Sequence, residues 1–142
     1  MSDESGPEFV DSNILVYAYD AAAGVRHSRA HELIQSLWWS GEGCVSIQVL
    51  QEFYVTITRK AAESLSPDVA AGIVADMGEW HTHCPVPCDV LTAIRLHRRY
   101  HIAFWDAMIL VSASHLGCGT LWSEDLNHGQ SYNGVLVRNP FA

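Results

Sequence analysis

The sequence predicts an α/β protein with three layers (α/β/α), in which helices cover both faces of a central, mainly parallel sheet. Short apolar segments of strand character alternate along the chain with longer segments of helical periodicity. No tight hairpin signal occurs early in the chain, so consecutive strands need helical crossovers, which are right-handed and keep the strands parallel. This alternation places helices on both sides of one sheet.

The N-terminal part predicts a strand over residues 8–11, a helix that ends at residue 19, and a helix over residues 25–39. Asp11 ends the strand, and Ser12 or Asn13 caps the first helix by accepting a backbone hydrogen bond. Gly41 and Gly43 end the second helix. Its apolar residues recur at helical spacing and form a predicted core stripe of Ala30, Leu33, Ile34, Leu37 and Trp38.

The rest of the chain predicts four helices and four strands. They are strand 44–46, helix 47–62, helix 67–79, strand 81–86, helix 87–100, helix 105–116, strand 120–123 and strand 135–137. Ser46 is the expected cap of the helix that follows it. Ser66, Pro67 and Asp68 supply a cap, a proline at the first helical position and an acid in the first turn. Gly117 closes the helix over residues 105–116.

The composition predicts one folded domain over residues 9–142, preceded by a flexible N-terminal extension over residues 1–8. The chain has 142 residues, of which 49% are hydrophobic and 17% charged, which argues against intrinsic disorder. No apolar stretch approaches the roughly 20 residues that span a membrane, and residues 1–8 lack the order of a signal peptide. We therefore expect a cytoplasmic protein. Its four cysteines are expected to be reduced thiols: Cys44, Cys84, Cys88 and Cys118.

Acidic residues at the predicted strand ends are the main functional signal. Asp11 and Asp106 each interrupt an apolar run, and a buried carboxylate must be paired, neutral or bound to a metal. Glu124 and Asp125 follow the strand at residues 120–123. Chemistry in such folds collects beyond the carboxyl ends of strands. Taken singly, each of these acids also fits a turn, a cap or a helix N-terminus.

Glu52 is the fifth acid of interest. Helical periodicity alone places it on the solvent-facing side of its helix, yet that helix is apolar almost all round and invites a buried partner for a glutamate. If these acids converge, each pair about 4 Å apart costs roughly 4 kcal/mol at an effective dielectric constant of about 20. They must then take up protons or bind cations. All-oxygen ligands favour Mg²⁺ or Mn²⁺ over zinc, and hence phosphoryl chemistry.

Four segments of the chain resemble, in order and at similar spacing, the motifs of the PIN-domain family, specifically the VapC-type toxins of bacterial toxin–antitoxin pairs. These segments are residues 9–17 (FVDSNILVY), 46–54 (SIQVLQEFY), 104–110 (FWDAMIL) and 121–129 (LWSEDLNHG). Each motif alone is weak, but four in order are a strong signal. The resemblance implies a PIN-like fold and an Mg²⁺-dependent endoribonuclease, with Mn²⁺ as a possible substitute ion.

The resemblance also implies roles for individual residues and partners. The metal-binding and catalytic acids would be Asp11, Glu52, Asp106 and Asp125, with Ser12 and Asn13 as polar support around Asp11. Asp125 aligns with the last aspartate of the family, and Glu124 stays the alternative. Expected partners are an RNA substrate, a second copy of the chain in a homodimer, and a VapB-type antitoxin protein that places an arginine among the acids; no membrane is expected.

Other interpretations of the sequence are less consistent with its residues. A phosphatase-like hydrolase of the haloacid-dehalogenase type needs a second aspartate where Asn13 stands. A receiver-like signalling module needs a lysine after a late strand, whereas the single lysine, Lys60, lies mid-chain. A catalytically dead PIN-like domain conflicts with the presence of all the acids. A zinc site in residues 81–88 (HTHCPVPC) is disfavoured, because side chains alternate on a strand and the ligands would not converge.

The net charge of -8 argues against tight binding of nucleic acid by charge alone.

Overall fold

The computed structural model describes residues 6–142 of the chain. Of the predicted extension over residues 1–8, residues 1–5 lie outside the described part, and Glu8 begins the first strand. The strands are β1 (Glu8–Val10), β2 (Gly43–Ser46), β3 (His81–His83), β4 (Thr120–Trp122), β5 (Ser131–Tyr132) and β6 (Val135–Arg138). The helices are α1 (Ser12–Tyr19), α2 (Val25–Ser40), α3 (Ile47–Arg59), α4 (Pro67–Met77), α5 (Pro87–Tyr100) and α6 (Phe104–His115), and a short 3-10 helix spans Ala21–Ala23.

The strands form one six-stranded sheet in the order β3-β2-β1-β4-β6-β5. All neighbours run parallel except β5 and β6, which are antiparallel. Right-handed crossovers place α1 to α4 on one face and α5 and α6 on the other. The helices pack accordingly, α1 against α2 and α3, and α5 against α6. This arrangement confirms the predicted α/β class and its mainly parallel sheet.

The order of the strands also fixes where a site can form. From β1 the chain steps outward to β2 and β3, and then returns to place β4 on the other side of β1. The carboxyl ends of β1 and β4 therefore flank a topological switch point, because the helices that follow β1 and the helices that precede β4 lie on opposite faces of the sheet. Asp11 directly follows β1, and Ser123 directly follows β4.

The core lies on both sides of β1, whose Phe9 and Val10 are fully buried. In the predicted stripe of α2, Ala30, Ile34 and Leu37 are buried, but Trp38 is 39% exposed and meets Trp80 in an edge-type arrangement, with ring centroids 5.5 Å apart. The prediction for Trp38 is therefore wrong. The Trp38 ring packs against the buried Trp80 ring at the surface rather than filling the interior.

Three further differences from the prediction concern the cap of α1, the end of β3 and a strand that was not predicted. The side chain of Asp11 itself caps α1, by accepting a hydrogen bond from the backbone of Ser12 at 2.7 Å, so neither Ser12 nor Asn13 is the cap. Strand β3 ends at His83, before the proline-containing segment. Strand β5 was not predicted. It pairs with β6 across Asn133 and Gly134, which have φ of 51° and 89°. Asn-Gly is a strong two-residue hairpin signal, so this strand could have been found.

The described cysteines are all free thiols, as expected, with Cys44 and Cys118 buried and Cys84 and Cys88 exposed. No helix among residues 6–142 is long and apolar enough to cross a membrane.

Candidate metal centre

Asp11 is the buried centre of the acidic site. Its side chain is only 3% exposed because β1 carries it into the middle of the sheet before α1 begins. One carboxylate oxygen, Oδ1, accepts a hydrogen bond from the Ser12 backbone at 2.7 Å. The other, Oδ2, accepts one from the Ser123 hydroxyl at 2.8 Å. These two bonds hold the carboxylate in a fixed orientation at the switch point.

Asp106 and Asp125 complete a cluster around Asp11. Each of the three side chains offers a carboxylate oxygen, and these oxygens all lie within 4.8 Å of one another. Asp106 lies in the first turn of α6 and is half-buried, whereas Asp125 follows β4 and is exposed. The Ser123 hydroxyl accepts a hydrogen bond from the Asp125 backbone at 3.1 Å and so links Asp125 to Asp11. Solvent exposure thus increases from Asp11 through Asp106 to Asp125, and the cluster is open to solvent at Asp125.

Glu52 lies beside this cluster but is not one of its three mutually close members. One of its oxygens accepts a hydrogen bond from the Ser12 hydroxyl at 2.9 Å and the other from Gln48 at 3.1 Å. Gln48 also donates to the backbone oxygen of Trp105 at 3.2 Å, next to Asp106. Glu52 is half-buried, so helical periodicity alone misplaced it on the solvent side.

Glu124 and Asp125 are adjacent in sequence but point to different partners. Glu124 binds the Arg26 guanidinium at 2.7 Å through one oxygen and accepts a hydrogen bond from the Tyr17 hydroxyl at 2.8 Å through the other. Both of its oxygens are thus engaged at the edge of the site. Asp125, the residue preferred from the sequence, is the one that lies with Asp11 and Asp106.

The electrostatics of the cluster reflect crowded negative charge. Burial, with a smaller contribution from the neighbouring charges of Asp125 and Glu52, raises the pKa of Asp11 from 3.8 to about 7, although hydrogen bonds from Ser123 and Ser12 act in the opposite direction. Burial also raises the pKa of Asp106, with Asp125 and Glu52 adding to the effect. Without a cation the site therefore keeps a proton near neutral pH, and a divalent cation would take the place of that proton.

The donor set fits a hard divalent cation. Three carboxylates that converge within 4.8 Å, with neither histidine nor cysteine in the group, suit Mg²⁺ or Mn²⁺. The Asn13 side chain provides a second indication, since both its amide nitrogen and its oxygen are buried without a hydrogen-bond partner among the described residues. The Asn13 side chain therefore makes no hydrogen bond with Asp11 among the described residues, while Ser12 makes hydrogen bonds with both Asp11 and Glu52.

Two clefts adjoin the cluster. One, of about 320 Å³, is lined by Asp106 and Asp125 together with Asn127 and Gln130. The other, of about 440 Å³, begins at Ser12 and Asn13 and reaches Lys60. Both are open to solvent, so an extended ligand has access to the acids from either side.

Ser123 is the residue of the site that the sequence analysis did not single out. Its hydroxyl bridges Asp11 and the backbone of Asp125. The signal lay in its position at the end of the predicted strand 120–123, but its role follows only from the pairing of β4 with β1.

The fold and the cluster define the class of the protein: an α/β protein with a carboxylate cluster at the switch point of a mainly parallel sheet. The family model of the PIN domain matches residues 9–130, and the chain belongs to that family. No curated protein matches the chain in sequence.

Several solved structures share the fold. A toxin–antitoxin complex from Klebsiella pneumoniae aligns with a TM-score of 0.70 and 15% identity, over 96% of this chain and 98% of the other. VapC20 from Mycobacterium tuberculosis, described as a sarcin–ricin loop cleaving toxin, has a TM-score of 0.63 and 20% identity, over 83% and 89%. DNA-bound VapBC from Salmonella typhimurium has a TM-score of 0.66 and 13% identity, over 96% and 99%. At these identities the similarity establishes the fold.

Proposed function

We propose that this protein is a metal-dependent endoribonuclease of the VapC type, the toxin of a toxin–antitoxin pair. The observation that carries the proposal is the convergence of Asp11, Asp106 and Asp125 at the switch point of a PIN domain. The similarity to VapC20, a toxin that cleaves the sarcin–ricin loop, supports RNA as the substrate. The family match favours this function over the phosphatase-like and receiver-like alternatives.

Asp11, Asp106 and Asp125 would hold Mg²⁺ or Mn²⁺, with Glu52 beside them. When bound, the cation supplies activation of water and neutralises negative charge on the phosphodiester. The residues of the chain orient the ligands, because Ser123 and the Ser12 backbone fix the Asp11 carboxylate. Water would attack the phosphorus in line with the departing 3′ oxygen, which takes up a proton, so no side-chain nucleophile is needed and we expect 5′-phosphate and 3′-hydroxyl ends.

The charge distribution limits how the RNA is held. With a net charge of -8, the protein has little general attraction for a polyanion, and the negative cluster repels phosphates until a cation binds. Lys60 at the end of the 440 Å³ cleft provides one positive group along the approach to Asn13. We therefore expect modest affinity for RNA in the absence of metal and a strong increase when metal is present.

The same acids are suited to inhibition by a protein. An arginine from an antitoxin would satisfy several carboxylate oxygens at once through charge-assisted hydrogen bonds. The toxin–antitoxin complexes from Klebsiella pneumoniae and Salmonella typhimurium support an antitoxin as partner. We propose that a VapB-type antitoxin neutralises this protein in that way, and that the toxin works as a homodimer.

The proposal is tested by incubating the purified protein with a labelled RNA in Mg²⁺, in EDTA, and in EDTA followed by excess Mn²⁺. We expect cleavage in Mg²⁺, none in EDTA, and recovery with Mn²⁺. An Asp106→Asn protein purified in the same way controls for contaminating nucleases and is expected to be inactive. Undiminished cleavage in EDTA would exclude the metal mechanism, and cleavage by the Asp106→Asn protein would assign the activity elsewhere.

A further inference from the structure

A second group of potential metal ligands lies away from the carboxylate cluster. His83 ends β3, Asp89 lies in the first turn of α5, and His115 is the last residue of α6. One ligand atom from each residue lies within 4.8 Å of the other two. His115 and Asp106 occupy opposite ends of α6. Nine residues separate them, or about 13–14 Å along a helix at about 1.5 Å per residue, so the two sites are distinct.

The separations within this group already approach those of a zinc site. His83 Nε2 lies 3.3 Å from Asp89 Oδ2. With Zn–N and Zn–O bonds of about 2.0–2.1 Å, two ligand atoms of a tetrahedral zinc ion stand about 3.3 Å apart. The ring of His115 lies against that of His83, with centroids 4.2 Å apart. One nitrogen of the exposed His115 ring lies within 4.8 Å of the ligand atoms of His83 and Asp89, so His115 has to move closer for all three to bind one ion.

The two inner ligands are held in place by neighbouring groups. Nδ1 of His83 makes a hydrogen bond of 2.8 Å with the Ser112 hydroxyl, which leaves Nε2 directed at Asp89. Asp89 Oδ2 accepts a hydrogen bond of 2.9 Å from the backbone of Val86. Metal-binding histidines are usually oriented in this way, through a hydrogen bond from the ring nitrogen that does not bind the ion.

Access and ligand chemistry agree with this arrangement. His83 is buried, Asp89 is half-buried and His115 is exposed, so one side of the group is open. A cavity of about 170 Å³, lined by Asp89, His115 and Asn133, adjoins it and has room for water. Two imidazoles and one carboxylate form a borderline-soft set that suits Zn²⁺ better than Mg²⁺.

We propose that His83, Asp89 and His115 form a zinc-binding site, with water as the fourth ligand, that fastens the edge strand β3 to α5 and α6. The site differs from the local zinc motif in residues 81–88 that the sequence analysis disfavoured, since His83 is the only residue of that segment in the group. Among the described residues, Cys84 and Cys88 fall outside the group and are exposed. The ligands of the proposed site come instead from three elements, β3, α5 and α6, so that strand alternation does not keep them apart.

The proposal is tested by titrating metal-free protein with ZnCl₂ against a chromophoric chelator, in excess Mg²⁺. His27 and His31 form a separate surface pair, with ring centroids 5.8 Å apart, so both are first changed to alanine in every protein compared. In that background, His115→Ala removes one ligand without disturbing the core, since His115 is exposed. His81→Ala is the matched control, because His81 is exposed on the same strand but outside the group.

We expect the background protein and the His81→Ala protein to bind one zinc ion with equal affinity at this site. His115→Ala should weaken that binding at least about 100-fold, since even residues that only orient a ligand contribute about 10- to 100-fold. Zinc should also raise the Tm of the first two proteins and not of the third. Equal zinc affinity with and without His115, or no zinc-dependent Tm shift, would overturn the proposal and leave a hydrogen-bonded His83–Asp89 pair only. Neither readout depends on nuclease activity.

Discussion

The substitution Asp11→Asn should stabilise the metal-free protein while it abolishes metal binding. In the folded protein without metal, Asp11 keeps its proton up to about pH 7, whereas in the unfolded chain it ionises near 3.8. The folded state therefore binds more protons between these values, so the free energy of unfolding falls as pH rises from about 4 to 7 and stays low above pH 7. Asparagine is neutral at every pH, so the Asp11→Asn protein does not lose free energy of unfolding in this way.

The size of the effect follows from the pKa difference. The pKa of Asp11 rises from 3.8 to about 7, and each pKa unit corresponds to about 1.4 kcal/mol. Above pH 7 the ionised Asp11 therefore lowers the free energy of unfolding by roughly 4 kcal/mol. Asparagine also weakens the hydrogen bond from Ser123, and this loss offsets about 1–2 kcal/mol of the gain in stability. We expect Asp11→Asn to raise the free energy of unfolding by about 2–3 kcal/mol at pH 8. At pH 5 the wild-type cost is only about 1–2 kcal/mol, so the gain should nearly vanish.

Urea unfolding in EDTA, followed by tryptophan fluorescence at pH 5 and pH 8, measures both values. Asp76→Asn, which changes an exposed acid of α4, is the control and should shift the free energy of unfolding by less than about 0.5 kcal/mol. Added Mg²⁺ should stabilise the wild-type protein and leave Asp11→Asn unchanged. A variant no more stable than wild type at pH 8, or a gain that is the same at both pH values, would refute the reasoning.

Two further substitutions test neighbouring features. Ser123→Ala removes the hydroxyl that lowers the pKa of Asp11. The acid limb of the pH profile for Mg²⁺-dependent cleavage should therefore move to higher pH. An unchanged acid limb would show that Ser123 does not influence the ionisation of Asp11. Gly43→Ala places a Cβ 2.6 Å from the buried Trp80 ring and should lower the free energy of unfolding by about 1–3 kcal/mol in urea titrations. Gly119→Ala, where the Cβ meets nothing within 4 Å, is its control, and equal stability of the two variants would contradict the packing argument.

Local signals were sufficient to predict much of the fold. Helix α5 has the predicted bounds, and Ser46 and Ser66 cap their helices as expected, because caps and periodicity depend on neighbouring residues only. The exposure of Trp38 could not be predicted in this way, since helical spacing places a residue on one face of a helix but does not show how much of its side chain the rest of the fold covers.

The site was predictable to the extent that Asp11, Asp106 and Asp125 lie near the ends of elements, whereas Glu52 lies within α3. Asp11 was conspicuous because it interrupts an apolar run, and its burial agrees with that reasoning. The sequence did not show that Glu124 pairs with Arg26, because the two residues are 98 positions apart and meet only through the fold. For the same reason, the association of His83 with Asp89 and His115 was not apparent from residues 81–88.

The central claim is that Asp11, Asp106 and Asp125 bind the cation on which RNA cleavage depends. Substitutions at the adjacent acids Glu124 and Asp125 test this claim most directly. The decisive measurement is the rate of Mg²⁺-dependent RNA cleavage by Asp125→Asn and Glu124→Gln, two variants that each neutralise one acid. Asp125→Asn is expected to lose activity by at least about 100-fold, since it removes a cation ligand. Glu124→Gln should stay within about tenfold of wild type, because Glu124 contacts Arg26 and Tyr17 rather than the cluster. An active Asp125→Asn protein alongside an inactive Glu124→Gln protein would contradict the proposed site.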